Sequence, residues 1–202
     1  MPSTMIHLLA AHELEPGAPA SYWVGSNAPD YVETWQNRDE IRAAKDSIHL
    51  RDAPDRWAAL KEVYAGIDRD NPFERGWFIH LFTDACWDET EVGEFHDSYK
   101  PASEDDHWFP AYRNEVGEAS FYLYRHLTWA GEVWGLVKSA RINEIATSLP
   151  VDLAGVEAYW RYVIKTHEES GPARAPAFYT GDKIKDFALR TASRYNEWTA
   201  RQ

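Results

Sequence analysis

The chain has 202 residues and a formal net charge of −12, which suits one large domain and repels phosphate backbones and anionic lipid surfaces, excluding nucleic-acid binding as a main role. A small anionic substrate remains possible where a metal supplies local positive charge. Hydrophobic residues make up 44% and aromatics 14%, with ten Trp, so the composition is that of a packed domain whose core or cleft must supply partners for indole N–H groups. Thr4 is a candidate cap for a first helix through Ile6, His7, Leu9 and Leu14, closed by Pro16-Gly17. Ser21 to Val24 reads as a short turn stopped by Gly25. Ala28-Pro29 calls for extended backbone, which places Asp30 on a bend. Residues 32–45 are ambiguous. Asp52 is a candidate cap for a helix through Trp57, Leu60 and Val63 that Gly66 ends.

Asn71-Pro72 is a strong helix start, a capping side chain followed by Pro in the first turn. The helix it opens runs to about Trp87 and is apolar nearly all round from Trp77 to Phe82, so it is expected to be central and buried. Gly76 inside it costs ~1 kcal/mol relative to Ala, which close approach by a neighbouring helix would justify. Residues 93–110, with Gly93, Pro101, Ser103 and Pro110, read as a polar excursion of the kind that frames binding sites. Further helices are expected at about 111–127, 131–141, 152–169 and 181–200, with Asp152 and Thr180 as caps. The sum is a bundle of about seven helices with little strand periodicity.

The single cysteine, Cys86, allows no internal disulfide and is most simply a small core residue. The N-terminal stretch carries His7, His12 and Glu13 without a basic n-region, and no segment has the ~18 apolar residues of a membrane span. A soluble, cytoplasmic protein is expected. His80 and Asp84 stand four apart and share a helix face, ~6 Å apart along the axis. They suit either one metal ion or a buried His–Asp hydrogen bond between helices. His7 has apolar neighbours and, taken alone, reads more commonly as a satisfied core histidine. His12, about 140° further round the same helix, reads as solvent-facing beside Glu13. Asp30 is a cap or a carboxylate ligand, and His49 precedes the helix expected from Asp52. His96-Asp97 is the one adjacent His-Asp pair. His107 and His126 are possible distal ligands, and His167, in T-H-E-E-S, reads as solvated. No nucleophile elbow, phosphate-binding glycine loop, H-E-x-x-H or C-x-x-C is present.

Taken in order, a His in the first helix, A-P-D at 28–30, H-L-R at 49–51 and G-W-F-I-H-L-F-T-D-A-C-W at 76–87 resemble the zinc-dependent phospholipase C family, itself similar in fold and metal arrangement to S1/P1-type nucleases. The matching region is about residues 4–88. The resemblance implies an all-α, single-domain multi-helix bundle over 1–202 that hydrolyses phosphoesters with zinc. It maps His7, Asp30, His49, His80 and Asp84 onto the family's metal ligands. Asp84 would be the carboxylate shared between two ions, and Asp30 both ligand and general base. Some family members place a His shortly after the shared Asp and a later H-x-x-x-E. Here Asp88 stands four residues on and no H-x-x-x-E exists, so one or two zinc or other divalent ions are expected.

The leading expectation is a metal-dependent phosphoesterase acting on a small molecule. One or two zinc-like ions would polarise a phosphoryl oxygen and bring the pKa of bound water toward ~7, with Asp30 or Asp84 orienting or deprotonating that water. Trp23, Trp77 and Trp87 are candidates for the pocket wall. An HD-type phosphohydrolase built on His96-Asp97 is the second enzyme reading. A non-catalytic helical protein that binds metal for stability, or an interaction module, is the third.

Overall fold

A computed structural model of the chain describes residues 2–103 and 106–202. Met1 and positions 104 and 105 of the expected excursion lie outside the described residues. Helices α1 (Thr4–Leu14) and α2 (Ala20–Gly25) lead into a 3₁₀ helix, Ala28–Thr34. Then come α3 (Arg38–Ile48), α4 (Arg56–Gly66), α5 (Pro72–Glu89), α6 (Glu91–Ser98), α7 (Trp108–His126) and α8 (Ala130–Ser139). A 3₁₀ turn at Ile142–Glu144 precedes α9 (Leu153–Glu169) and α10 (Gly181–Thr199). The architecture is an all-α helical bundle, as expected, with more helices than the seven anticipated. No helix among the described residues is long and apolar enough to cross a membrane.

The axis of the bundle is α5, whose residues from Gly76 to Trp87 are all buried. Asn71 caps it by accepting the N–H of Phe73, with Pro72 in the first turn. Helices α1, α2, α4 and α6 and the 28–34 segment pack around it, and α9 covers that segment from outside. The tightest crossing is α2 on α5. A Cβ on Gly76 would lie 2.2 Å from the Tyr22 carbonyl oxygen, and one on Gly25 would lie 2.1 Å from that of Phe73. Only hydrogen side chains permit the contact. Several buried indole N–H groups find acceptors: Trp23 donates to Ala18 O (2.9 Å), Trp160 to Val24 O (3.2 Å) and Trp87 to the Tyr112 hydroxyl (2.7 Å), while Trp134 Nε1 finds none among the described residues.

Several local expectations are corrected. Helix α1 is entered from Ser3, not capped by Thr4, and its first-turn Met5 N–H is met by Ser120 Oγ of α7 (3.2 Å). The cap of α4 is Asp55, which accepts from Trp57 and Ala58, not Asp52. Pro54 disfavours helical backbone at Ala53 and moves the start downstream. Asp30 sits inside the 3₁₀ helix, because Pro29 falls in its first turn, where a missing N–H costs nothing. Residues 93–98 complete α6 and 108–110 open α7, shrinking the excursion to 99–107. Gly93 and Pro110 both lie in first turns, where helix breakers are tolerated.

Replacing Gly76 with Ala is expected to destabilise the fold by about 1–3 kcal/mol through overpacking. Gly117→Ala, in a helix interior with no atom within 4 Å of the added carbon, is expected to stabilise by about 0.5–1 kcal/mol. Denaturant unfolding of both variants measures the opposite signs.

Candidate metal centre

Five side chains from four elements converge beside the middle of α5. His7 comes from α1, Asp30 from the 28–34 segment, His49 from the end of α3, and His80 and Asp84 from α5. All are buried, none more than 3% exposed. His7, Asp30 and His80 form one group able to hold a metal ion, and His49, His80 and Asp84 another. The sequence placed these residues on four segments, with His80 and Asp84 sharing one helix, and the fold brings the four together.

The histidines are oriented by the backbone. His80 Nδ1 donates to Ser26 O (2.9 Å) and His49 Nδ1 to Lys45 O (2.8 Å). Carbonyls only accept, so both rings carry their proton on Nδ1 when neutral, and both Nε2 atoms are bare lone pairs. Those two Nε2 atoms lie 3.1 Å apart. Two lone pairs at that distance repel, and a cation or proton between them turns the repulsion into attraction. The His7 ring stacks on His80 at 3.7 Å between centroids, with neither nitrogen hydrogen-bonded.

Asp84 faces two sides. Its Oδ1 lies 3.7 Å from His7 Nε2, and its Oδ2 lies 3.4 Å from His49 Nε2 and 3.8 Å from His80 Nε2. Neither oxygen has a hydrogen-bond partner although the residue is wholly buried. Such a charge requires a cation. Asp30 Oδ1 lies 3.4 Å from His49 Nε2 and 3.1 Å from Lys45 Nζ. Imidazole and carboxylate oxygen are ordinary ligands of divalent cations, so the donor set and its unpaired atoms fit a metal ion.

Burial pushes the His80 pKa down to about 4 and lowers that of His7 as well, leaving both as neutral ligands. Burial alone would neutralise Asp84, but His49, His80, His7 and Arg51 outweigh it and hold its carboxyl well below the usual range. Asp30 behaves alike, with burial overcome chiefly by Lys45. For Lys45 itself burial opposes the charge, while Asp30 and Glu33 prevail and raise its pKa.

Two residues that sequence reasoning missed complete the centre. Lys45 pairs with Asp30 and Glu33, and Arg51 reaches within 3.9 Å of Asp84 Oδ2 and pairs with Asp88 at 2.9 Å. Lys45 precedes His49 by one helical turn, a spacing hidden because the start of α3 was unreadable. Leu50, between His49 and Arg51, has φ 58°. Arg51 N–H bonds Asp46 O (2.7 Å) and Leu50 N–H bonds Ser47 O (3.1 Å), the Schellman closure that normally uses glycine. A leucine there costs roughly 1–2 kcal/mol, and the turn aims His49 and Arg51 at the same carboxylate.

The remaining candidates lie elsewhere. Asp88 is engaged by Arg51 and Arg56 and belongs to neither group. His96 and Asp97 pair at 3.2 Å on the exposed face of α6. His126 is exposed and bonds Tyr122 O, and His12 is half-buried against Trp129 rather than solvated. His167 is buried, not solvated, with Nδ1 on Val163 O and Nε2 facing Ser120 Oγ at 3.0 Å. Its place in the stripe Val156, Tyr159, Trp160, Val163 was the missed sequence cue. Trp23, Trp77 and Trp87 are core residues and wall no pocket at the centre. Comparison with family models, with curated proteins and with solved structures finds no match for the chain.

Folded His80 stays neutral down to about pH 4, whereas the unfolded chain takes up that proton near pH 6.5. The metal-free protein is therefore expected to lose about 3 kcal/mol from His80 as pH falls through that window. His167, also pushed to about 4 by burial, adds to the loss with the same sign. Urea midpoints between pH 7 and 4.5 measure it, and His80→Gln and His167→Gln each flatten the slope.

Proposed function

We propose that the chain is a metal-dependent hydrolase of small phosphoesters, its ion held by His49, His80, Asp84 and Asp30. The observation that carries this is the pair of opposed Nε2 lone pairs beside a buried carboxylate with both oxygens unpaired. His80 has one free lone pair, so it serves one ion. His7 and Asp84 Oδ1 would be the residues to hold any second ion. Zinc suits the donor set, and a bound zinc-like ion supplies Lewis-acid polarisation of the phosphoryl group and acidifies water.

The chain's own residues do the rest. Lys45 keeps Asp30 ionised, so Asp30 is able to take a proton from the attacking water. Arg51 both touches Asp84 and lines the adjacent cavity, where its guanidinium is placed to bind phosphoryl oxygens. In the reaction the water oxygen bonds to phosphorus and the ester P–O bond breaks. The leaving oxygen takes up a proton, replacing the one passed to Asp30. A competing reading, an ion bound for stability alone, is favoured by the burial of all five ligands, since structural sites are closed.

Zinc-loaded protein is expected to hold one tight equivalent and to hydrolyse p-nitrophenyl phosphate or its bis-ester. His80→Gln and Asp84→Asn, checked for folding by circular dichroism, are expected to lose the ion and at least ~100-fold in turnover. His96→Ala leaves both intact. Loss in His96→Ala alone would move the chemistry to the exposed His-Asp pair. Zinc bound without turnover of either ester would leave the stabilising ion.

A further inference from the structure

A cavity of about 720 Å³ opens over the outer side of the centre, with Lys45 and Arg51 in its wall. That volume is in the range of small-molecule sites. Its charge is opposite to that of the chain. Arg38, Arg42, Lys45, Arg51 and Arg113 face the cavity against Glu33, Asp46 and Asp88, while the whole chain carries −12. Two of those cations are already committed: Lys45 to Asp30 and Glu33, Arg51 to Asp84 and Asp88.

Arg38, Arg42 and Arg113 are in surplus. None lies within ion-pair distance of a carboxylate among the described residues. Arg38 and Arg42 are one turn apart on α3, on the same side as Lys45, where like charges cost stability. Arg38 also sits in the first turn, at the positive end of the helix. Burial raises the Glu33 pKa and Arg113 counters it from a distance, and Arg42 stands one turn from Asp46, but none of the three arginines makes a close ion pair among the described residues. Between the cations the lining is apolar, from Ile41, Val92 and Phe109, with Phe109 about half exposed. A cleft with a net positive lining between apolar walls draws the opposite charge.

We propose that this cavity takes a small organic phosphoester bearing a second anionic group on an apolar body. Arg38, Arg42 and Arg113 bind the second anion while the phosphoryl group meets Arg51 and the centre. The assignment rests on the phosphoesterase reading for which end of the substrate reacts. The apolar body lies along Ile41, Val92 and Phe109.

Three matched esters test it on the full-length, zinc-loaded chain: phenyl phosphate, 4-carboxyphenyl phosphate and 4-(trimethylammonio)phenyl phosphate. The expected order of kcat/KM is carboxy, then unsubstituted, then ammonio, with about tenfold between the first two. In the Arg42→Gln/Arg113→Gln variant the carboxy preference falls toward unity through a raised KM. Equal kcat/KM for the three esters in the wild type, or a preference that survives the double substitution, overturns the proposal. Absence of turnover with every ester would be a failure of the hydrolase reading instead. Calorimetric binding of 4-carboxybenzylphosphonate against benzylphosphonate then decides the cavity separately. Tighter, arginine-dependent binding of the carboxy compound sustains it, and equal binding removes it.

Discussion

Asp84 is an ionised carboxylate wholly inside a helix bundle, and its two oxygens find no hydrogen-bond donor. An ion removed from water costs several kcal/mol even after relaxation, so the surroundings must return that energy as positive charge. Three imidazoles and Arg51 are ranged around it, and Lys45 plays the corresponding part at Asp30. Burial also disfavours the charged form of His7 and His80. As neutral rings those two bring the carboxylate little charge, and what they offer is lone pairs. That combination of anionic oxygen and neutral nitrogen, both lacking partners, is the chemistry of a cation site.

The backbone holds this arrangement through two contacts that spend conformational freedom. Gly25 and Gly76 let α2 lie directly on α5, which carries the Ser26 carbonyl onto His80 Nδ1 and fixes the tautomer. At the end of α3 the left-handed Leu50 turns the chain so that His49 and Arg51 both address Asp84. Strain of this kind persists only where the surroundings enforce it. Here it sits between two residues of the centre.

Charge is distributed in layers. The exterior is acidic overall, the cavity mouth basic, and the innermost residues anionic oxygen and neutral nitrogen. Lys45 and Arg51 stand at the boundary between the cavity and the centre, each touching a buried carboxylate on one side and open space on the other. An anion drawn in by the outer arginines would meet these two cations before the buried carboxylates.

Much of this was determined by local sequence alone. Asn71-Pro72, Asp152 and Thr180 cap helices because a short polar side chain satisfies N–H groups two or three residues away, which needs no tertiary information. The apolar circumference of 77–82 required a central helix, and the four-residue step from His80 to Asp84 put them on one face. Gly76 was legible as a close approach for the same reason. The caps at Ser3 and Asp55 and the buried His167 were misread, although Pro54 and the 156–167 stripe carried the cues. What only the tertiary structure decided was partnership across the chain. Ser120 of α7 satisfies the start of α1, the Ser26 carbonyl sets the His80 proton, and Lys45 and Arg51 balance the two acids. The basic cavity exists only once α3 and α7 face each other across it. Periodicity and capping are properties of neighbours in sequence, whereas electrostatic compensation of a buried charge depends on which distant residues the packing delivers.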